Sequence, residues 1–465
     1  MHKPTILIPL TIQFSVRYIL RSGLLEKLQE IAKPVIVIGW QDPNLQSELI
    51  NMGCEVYPLP KVEMSAKFAR LRKKIHIMHF NHISSCSTAI DQRRNNLFLT
   101  TTQRARKALR ASIYKIEGSL PGRFQNLYER EKEIIHRETN FDKFENLVER
   151  IQPNALFSIT PYFLEEEFIA RAAANTNAKL STAILSFDNL TTRPRIPILF
   201  DQYLFWNDYN KKELIRIYPD AKNKEITIVG SPQFDFYYDP TYIWSENDWR
   251  QRLGIPEGRK IILYAAGPFE IAPPEPHWVA QLDDAIQNGE ISGNPIILLR
   301  RHPIDPPDRW TSIREHSKNV IFDDPWVVGK EIIGRTNVTR YDIEKLASTL
   351  NYSDVHINAS STMSIDGAIF DKPQIGPAYD DRPGHKFDKA MRELYEREHY
   401  LSITRSGGLE IVRSRDELIQ TINRAINDPG RLSHARKKMI REICTFDDGK
   451  STERVFAALQ SFLKV

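Results

Sequence analysis

Cysteine is scarce in this chain, and long apolar runs are absent. The three cysteines, Cys54, Cys86 and Cys444, lie far apart, so they cannot form a disulfide framework or a zinc knuckle, and free thiols suit a reducing compartment. No segment approaches the roughly 18 consecutive apolar residues that span a bilayer, and Pro9 interrupts the first apolar run before a secretory signal develops. We therefore expect a cytoplasmic protein.

Glycine and proline form no tracts, and no repeat of about 20 to 50 residues is evident, which argues against low-complexity and solenoid architectures. With 41% hydrophobic and 26% charged residues, the composition is that of a globular protein. At 465 residues the chain exceeds one compact domain, because domains average about 150 residues. Two substantial hydrophobic cores are expected.

Positive charge is concentrated in one segment. The whole chain carries a net charge of +5, whereas residues 66–116 alone carry +11, with Asp91 as their single acid. The pattern there predicts a basic amphipathic helix that binds an anionic surface, such as lipid headgroups, a phosphate carrier or a charged glycan. Its apolar face is formed by Ala105, Leu109, Ser112, Ile113 and Ile116. The cations assigned to the anionic surface are Arg104, Arg106, Lys107 and Arg110.

The alternative for this segment is a solvated helical face that packs on its own domain, since charge runs are usually solvated. Nucleic acid is a less favoured partner because no nucleic-acid-binding motif accompanies the basic run. His76, His79 and His82 are spaced to line one side of a helix, but no carboxylate or thiolate joins them. We therefore predict packing or surface histidines there and no metal site.

Short apolar runs alternate with helical patterns along the first half. Strands are predicted near residues 5–9, 34–39, 54–58, 155–159, 180–186, 200–206 and 226–230. A long, basic and mostly helical stretch at about 63–150 interrupts them. Strand, helix and strand at this spacing build a parallel sheet covered on both faces. The first domain is therefore placed at residues 1–230, with a helical insertion.

A second series of strands follows a proline-rich and aromatic linker at 231–258. These strands are predicted near residues 260–264, 295–300, 319–322, 355–358 and 373–376. The second domain is placed at residues 259–465. The fold class predicted from both halves is α/β, with two facing, doubly wound, Rossmann-like domains.

Several common motifs are absent. Gly449-Lys450-Ser451 lacks the glycine and the strand that begin a P-loop, and no G-x-G-x-x-G follows the first strand. No H-E-x-x-H helix or G-x-S-x-G elbow occurs. These absences argue against a P-loop enzyme, a dinucleotide-dependent dehydrogenase and a serine hydrolase of the elbow type.

Two segments of the second half lie where open α/β sheets bind ligands, after the carboxyl ends of strands. Arg300, Arg301, His302 and Pro303 end one strand, and a cationic cluster there suits a phosphate. Ser360, Ser361 and Thr362 follow another strand and precede a helix that contains Asp366. Hydroxyls and free backbone N–H groups at a helix start favour an anion, although serine and threonine are also ordinary helix caps.

The half that contains His302-Pro303 and Ser360-Ser361 resembles GT-B-fold transferases that build bacterial surface polysaccharides. It is most similar to CDP-glycerol glycerophosphotransferase-like proteins and bacterial sialyl- and Kdo-transferases, over roughly residues 220–460. The resemblance extends to Gly230–Asp235 and Leu263–Gly267. The resemblance implies that His302-Pro303 and Ser360-Ser361 hold the phosphate of a CMP-, CDP- or UDP-linked donor, and we predict that Arg300, Arg301, Thr362 and Asp366 join them at the same site. It also implies catalysis without a metal or another cofactor.

Asp188 is the candidate base. Ser186, Asp188 and Asn189 end a strand in a segment that resembles an S-W-D-N-L element of relatives, and this would direct Asp188 toward the cleft. Its alternative role is a cap, and the next candidates for the base are Glu165, Glu166 and Glu167. The E-x7-E pair of retaining sugar transferases is absent, which favours inversion. The acidic motif of sialyltransferases is also absent, which disfavours a sialic acid donor.

The leading hypothesis is therefore an inverting glycosyl- or glycerophosphotransferase of surface polysaccharide or glycolipid biosynthesis, acting on a glycan or lipid-linked acceptor. Asp188 and His302 would be its catalytic residues. A nucleotide-sugar epimerase of the 2-epimerase type is the first alternative, but it lacks support from a His-Arg-Arg-Glu segment. A noncatalytic scaffold that binds membranes through residues 66–116 is the second.

Overall fold

The computed structural model describes residues 3–83, 85–303, 305–324 and 337–464. Contacts divide the chain into two compact units. Unit 1 comprises residues 1–92, 98–232 and 451–465, and unit 2 comprises residues 93–97 and 233–450. These bounds differ from those drawn from the sequence, because the last helix packs in unit 1 and most of the expected linker packs in unit 2.

Unit 1 is built on a seven-stranded parallel sheet in the order β3-β2-β1-β4-β5-β6-β7. The strands are β1 (Thr5–Leu10), β2 (Lys33–Ile38), β3 (Glu55–Pro58), β4 (Ala155–Ser158), β5 (Lys179–Ala183), β6 (Gln202–Phe205) and β7 (Glu225–Ile228). Alternate residues of β1 enter opposite cores, with Leu7 in one cluster and Ile6 and Ile8 in the other. The strand has one apolar core on each face, as expected for a doubly wound sheet.

The helices of unit 1 confirm the predicted alternation. They are α1 (Gln13–Val16), α2 (Leu24–Ile31), α3 (Pro43–Asn51), α4 (Ala66–Ile83), α5 (Cys86–Leu97), α6 (Thr101–Gly118), α7 (Arg123–Glu138), α8 (Asp142–Ile151), α9 (Leu164–Ala174), α10 (Asn189–Thr192) and α11 (Asp208–Ile217). A π-helical segment, Arg17–Arg21, continues α1, and a 3-10 segment, Pro219–Asn223, follows α11. Residues 93–97 of α5 group with unit 2.

The helical insertion is confirmed and comprises α4 to α8. An antiparallel bridge between Met64 and Thr139 joins the chain before α4 to the chain directly after α7. Buried ion pairs tie the insertion to α9: Arg72 contacts Glu167 at 2.6 Å and Glu131 at 3.1 Å, and Arg171 contacts Glu131 at 2.8 Å. Part of the basic charge of this region is therefore neutralised inside the unit.

Unit 2 contains a six-stranded parallel sheet in the order β10-β9-β8-β11-β12-β13. The strands are β8 (Ile261–Ala265), β9 (Ile296–Arg300), β10 (Val320–Asp323), β11 (Val355–Asn358), β12 (Gln374–Pro377) and β13 (Leu409–Val412). The last of these was not expected from the sequence. It is short and lies at the edge of the sheet, where Glu410 and Ile411 remain partly exposed.

The helices of unit 2 are α12 (Glu246–Leu253), α13 (Glu275–Gln287), α14 (Thr311–His316), α15 (Arg340–Tyr352), α16 (Met363–Ile369), α17 (Asp388–Glu393), α18 (Leu401–Ser406), α19 (Arg415–Asn427) and α20 (Ser433–Cys444). Short 3-10 segments are Pro232–Tyr237, which begins in unit 1, then Pro240–Tyr242, Pro307–Trp310, Leu394–Glu396 and Glu398–Tyr400. The final helix, α21 (Ser451–Leu463), returns to unit 1, where Val455 and Leu459 join the core that contains Ile6. Among the described residues, no helix is both long and apolar enough to cross a membrane.

Candidate functional site

Three loops of unit 2 meet at one edge of its sheet. Strand β8 pairs with β9 on one side and with β11 on the other, all in parallel. The segments after these strands therefore lie side by side at the carboxyl edge, where the order of strands reverses between β8 and β11. This is the position at which open α/β sheets bind ligands. The structure thus brings His302-Pro303 and Ser360–Thr362 to the same edge.

Arg300 and Arg301, predicted as part of a cationic cluster, are both ion-paired. Nη1 of Arg300 donates to Asp323 Oδ2 at 2.6 Å, and both side chains are almost fully buried. Arg301 donates through Nε to Asp324 at 2.5 Å. Both acceptors lie at the end of β10, so much of the arginine charge is compensated within the sheet edge.

His302 is half-buried, as is Pro303. Burial, with a smaller contribution from the Arg309 guanidinium, lowers the pKa of His302 to about 4. The imidazole is therefore neutral at pH 7 and can donate one hydrogen bond but carries no charge. His302 therefore adds no positive charge to this edge at pH 7.

Glu275 was not singled out in the sequence. Its carboxylate is fully buried and accepts from the Gly267 backbone N–H at 2.9 Å and from Arg309 at 3.0 Å. Burial raises the pKa of Glu275 to about 8 against the opposing effects of Arg309 and Gly267, and the nearby Asp305 carboxylate adds to the rise. One guanidinium serves two buried acids, so a proton on Glu275 is retained up to mildly alkaline pH.

This raised pKa predicts a stability effect. A carboxyl whose pKa rises on folding contributes stability that is fully present below its unfolded pKa, near 4.5, and lost as pH rises through about 8. As pH rises from one limit to the other, the free energy of unfolding should fall by about 5 kcal/mol because of Glu275. Glu275→Gln has no proton to lose at this position, so its free energy of unfolding should not show this fall with rising pH. Urea unfolding of both proteins at pH 5, 6.5 and 8 measures it, and parallel pH dependences would contradict the assignment.

The turn at Ser360 is held in a constrained conformation. Ser360 has φ of +50°, in the left-handed region that non-glycine residues rarely adopt. Its hydroxyl donates to the Leu394 carbonyl at 3.0 Å and accepts from buried Arg397 at 2.8 Å. Ser360 therefore shapes the turn. Ser361 is half-buried and Thr362 is exposed, so these two hydroxyls are the ones accessible to a ligand.

A second layer of side chains supports this turn. Asn358, at the end of β11, accepts from the Ser361 N–H at 3.1 Å and from the Ser364 hydroxyl at 2.9 Å. Tyr400 lies 2.9 Å from Ser364 and donates to the Ser361 carbonyl at 3.2 Å. Arg397 and Tyr400 lie 36 to 39 residues along the chain from the residues that they contact, so no local pattern could have identified them. Asn358 was visible as a polar residue at a strand end.

Asp366 is not directed at the same edge by any described contact. It is buried, and it accepts a hydrogen bond of 2.5 Å from the hydroxyl of Tyr237, in the segment that precedes α12. This contact fixes Tyr237 against α16. The Tyr237 contact thus gives this carboxylate a structural role, and phosphate binding by Asp366 stays a prediction.

In unit 1, Ser186, Asp188 and Asn189 lie together after β5. Asn189 is buried and its Oδ1 accepts from the Ser186 N–H at 3.0 Å and from the Tyr162 hydroxyl. Asp188 is half-buried and accepts from Asn189 Nδ2 at 3.2 Å and from Thr192 Oγ1 at 3.1 Å. Although Asp188 precedes α10, its carboxylate accepts no capping N–H bond. Asp188 thus lies in the segment that follows β5, and its carboxylate does not serve as a backbone cap of α10.

The three alternative bases differ in accessibility. Glu166 is fully buried and accepts from Ser158 Oγ at 2.6 Å and from the Ile159 and Thr160 N–H groups. Glu167 is also buried; burial alone would raise its pKa, but Arg72 and Arg171 outweigh burial and lower it. Both acids are committed to structure. Glu165 is half-buried, so it is the accessible member of the three.

The basic amphipathic helix is confirmed as α6, with its apolar face turned to solvent. Leu109 is 65% exposed, Ile113 51% and Ile116 70%. The opposite side of α6 faces α4, whose Lys74 lies over the Tyr114 ring of α6 at 5.6 Å. Arg104, Arg106, Lys107 and Arg110 are exposed. This helix does not bury its aliphatic residues against its own domain.

The three histidines of α4 contact aromatic rings. His76 lies 5.3 Å from Phe80 and His82 lies 6.0 Å from Phe124, measured between ring centroids. Burial lowers the pKa of His79 to about 3. Among the described side chains, the group whose ligand atoms come within 4.8 Å of one another is His136, Asp142 and Glu145, on other helices. The packing of the α4 histidines is thus sufficient to explain them.

Sequence comparison gives one family. The family described as CDP-glycerol:poly(glycerophosphate) glycerophosphotransferase matches residues 199–461, more than half of the chain. This range contains all of unit 2 except residues 93–97, and therefore all three loops of the carboxyl edge. No curated protein sequence is significantly similar to the chain.

Similar folds occur among solved structures. A putative UDP-N-acetylglucosamine 2-epimerase from Listeria monocytogenes has a TM-score of 0.57 at 12% identity, covering 100% of this chain and 97% of its own. The UDP-GlcNAc 2-epimerase from Neisseria meningitidis bound to UDP-GlcNAc has 0.55 at 11%, covering 98% and 100%. A glycosyltransferase from Rickettsia africae has 0.51 at 13%, covering 100% and 99%. At these identities the likeness establishes the GT-B fold alone.

Proposed function

Because the chain belongs to the CDP-glycerol:poly(glycerophosphate) glycerophosphotransferase family, we propose that it transfers a glycerophosphate or sugar group from a nucleotide-activated donor to an acceptor hydroxyl. The family match carries this proposal, since it spans the His302 and Ser361 loops. A CDP-linked donor is the first candidate, as in the reaction that names the family. Surface polysaccharide or glycolipid is the proposed product, made at the inner face of the membrane.

The proposed step is a direct displacement. With CDP-glycerol, the acceptor oxygen forms a bond to the phosphorus that carries glycerol, the P–O bond to CMP breaks, and CMP leaves with the electron pair. The acceptor proton passes to a base, for which we propose Asp188 of unit 1. With a sugar donor the same displacement occurs at the anomeric carbon and inverts it. No metal ion or other cofactor enters the proposed step.

Charge develops on the departing phosphate, and the carboxyl edge of unit 2 is the proposed cradle. Neutral His302 would donate one hydrogen bond, and Ser361 and Thr362 would donate from the opposite side of β8. Preorganised donors of this kind stabilise developing charge without reorganisation. The guanidinium groups of Arg300 and Arg301 would add a weaker attraction for the phosphate, because each is already paired with an aspartate at this edge.

Calorimetry with CDP-, CMP- and UDP-linked donors and the free nucleotides tests donor binding. Replacing Ser361 and Thr362 by alanine together should weaken binding of donor and nucleotide alike, since both share the contacted phosphate. If the native protein binds donor and nucleotide and the double variant binds both with the same affinities, these hydroxyls do not contact the phosphate. Failure of the native protein to bind any member of the panel would favour the scaffold hypothesis, and interconversion of a sugar nucleotide would favour the epimerase.

We also propose that α6 brings the protein to an anionic membrane surface. Leu109, Ile113 and Ile116 form an exposed aliphatic face, and cations flank it. A helix of this kind lies in the interface with its apolar side among the acyl chains. Each Lys or Arg near anionic headgroups adds about 1 kcal/mol, and this attraction is screened by salt.

Charge reversal tests the membrane proposal. Arg106→Glu, Lys107→Glu and Arg110→Glu together should abolish co-sedimentation with anionic vesicles at low salt and leave nucleotide binding unchanged. The matched control reverses Lys437, Lys438 and Arg441, which have the same spacing on α20 and are exposed, whereas Met439 and Ile440 there are buried. The control should sediment normally. Equal binding of the native protein to neutral and anionic vesicles, or none to either, would contradict the proposal.

A further inference from the structure

We infer that Arg309 is a positioning residue that holds the loop after β8 and the loop after β9 in one fixed arrangement, and thereby shapes the donor site. The first loop is residues 266–274. The second is residues 301–307, of which Ile304 lies outside the described part of the chain. The inference rests on the proposed function, because it assigns both loops to donor binding.

The guanidinium of Arg309 reaches both loops at once. On the first loop, Nη1 donates to the Gly267 carbonyl at 2.9 Å and Nη2 to the Ala272 carbonyl at 2.5 Å. On the second, Nη1 donates to both oxygens of Asp305 at 2.9 and 3.0 Å. The side chain of Arg309 is 6% exposed. One buried group therefore fixes the distance between the two loops.

Each loop is tied back to this arginine by a buried acid. Glu275 accepts from Arg309 Nη2 at 3.0 Å and from the Gly267 N–H at 2.9 Å. Asp305 accepts from Trp310 Nε1 at 2.5 Å, and its own N–H donates to the His302 carbonyl at 2.9 Å. The chain of contacts runs from Gly267 through Arg309 and Asp305 to His302. Movement of the arginine would thus move the proposed donor contact at His302.

Arginine is the residue that this geometry requires. Its planar fork presents several N–H groups in fixed directions, whereas the lysine ammonium is a compact charge that cannot bridge acceptors on both loops and on α13 at once. Lysine at this position keeps a positive charge beside the carboxyl groups of Glu275 and Asp305. Arg309→Lys therefore separates the loss of geometry from the loss of charge.

A matched arginine lies at the opposite edge of the same sheet. Arg259 precedes β8 and donates to the Asn294 carbonyl at 2.6 Å, the Pro295 carbonyl at 2.8 Å and Asn319 Oδ1 at 2.8 Å. It ties together the segments that precede β9 and β10, at the amino ends of the strands. Arg259→Gln thus removes a comparable loop-to-loop tie where no donor site is proposed.

Hydrogen exchange and calorimetry on the full-length variants test the inference. In Arg309→Lys, the amides of residues 266–272 should exchange at least tenfold faster, and affinity for the free nucleotide should fall about tenfold. Arg259→Gln should change neither quantity. Asp305→Asn keeps Glu275 paired with Arg309 and provides a second folded variant, in which faster exchange should appear at the residue 305 amide, which donates to the His302 carbonyl.

The outcomes separate the inference from the proposed function. Unchanged exchange in both loops of Arg309→Lys and Asp305→Asn would overturn the positioning role, whatever the nucleotide affinity. Faster exchange with unchanged nucleotide affinity would show that Arg309 fixes the loops but that they do not hold the donor, which overturns the assignment of the site. If the native protein binds no nucleotide, the proposed function fails, whereas the exchange result still reports on Arg309.

Discussion

Asp188→Asn is expected to reduce transfer by at least a thousandfold while donor affinity changes less than threefold. The amide keeps the shape of the carboxylate and can still accept from Thr192, but it cannot take a proton from the acceptor hydroxyl. A base acts on the acceptor and contributes little to holding the nucleotide, so the loss should appear in kcat and not in donor KM. Initial rates at varied donor concentration measure both.

The control for this variant is Asp201→Asn. Asp201 precedes β6 at the amino edge of the same sheet, where it accepts from Lys224 at 2.8 Å and from the Leu180 N–H at 3.0 Å. It should retain native turnover. Normal turnover in Asp188→Asn would move the base elsewhere, and Glu165 would be tested next, because Glu166 and Glu167 are buried and fully engaged.

His302→Ala is expected to lower turnover by about a hundredfold to a thousandfold, the range found when one donor to a developing oxyanion is removed. Nucleotide affinity should also fall, because the imidazole is proposed to contact the phosphate that donor and product share. His434→Ala, an exposed histidine of α20, is the control. If a folded His302→Ala protein has native kinetics, His302 does not contact the donor phosphate.

The pH dependence provides a second readout for His302. Its pKa of about 4 means that the imidazole stays neutral as pH falls through 6.5, the ordinary histidine range, and gains its proton only near 4. An inflection of kcat/KM near pH 6.5 that disappears in His302→Ala would contradict this assignment.

The strand pattern could be predicted because parallel strands covered on both faces are continuous apolar runs. Such runs marked β1, β2, β8 and β9 within one or two residues. Strand β13 was missed because an edge strand can be short and partly polar. The packing of α21 in unit 1 was also missed, since an amphipathic helix does not specify which sheet it covers.

The site divides in the same way. Motif residues such as His302 and Ser361 could be identified because local sequence places them at strand ends. The partners of the site residues could not be predicted. Arg300 pairs with Asp323 on the neighbouring strand, and Ser360 is bound by the segment that contains Arg397. Such pairings depend on sheet order and long-range contacts, which one sequence does not encode in any local pattern.

The most direct test of the central claim is a transfer assay with radiolabelled CDP-glycerol, purified protein and acceptor-bearing membranes. The account predicts that label enters the acceptor fraction while CMP is released in equal amount, and that both processes cease in Asp188→Asn. If CDP-glycerol gives no transfer, CMP- and UDP-linked sugars should be tested next. For an active sugar donor, nucleotide release and sugar transfer should again occur in equal amounts. No transfer from any of these donors, with nucleotide neither bound nor released, would contradict the account.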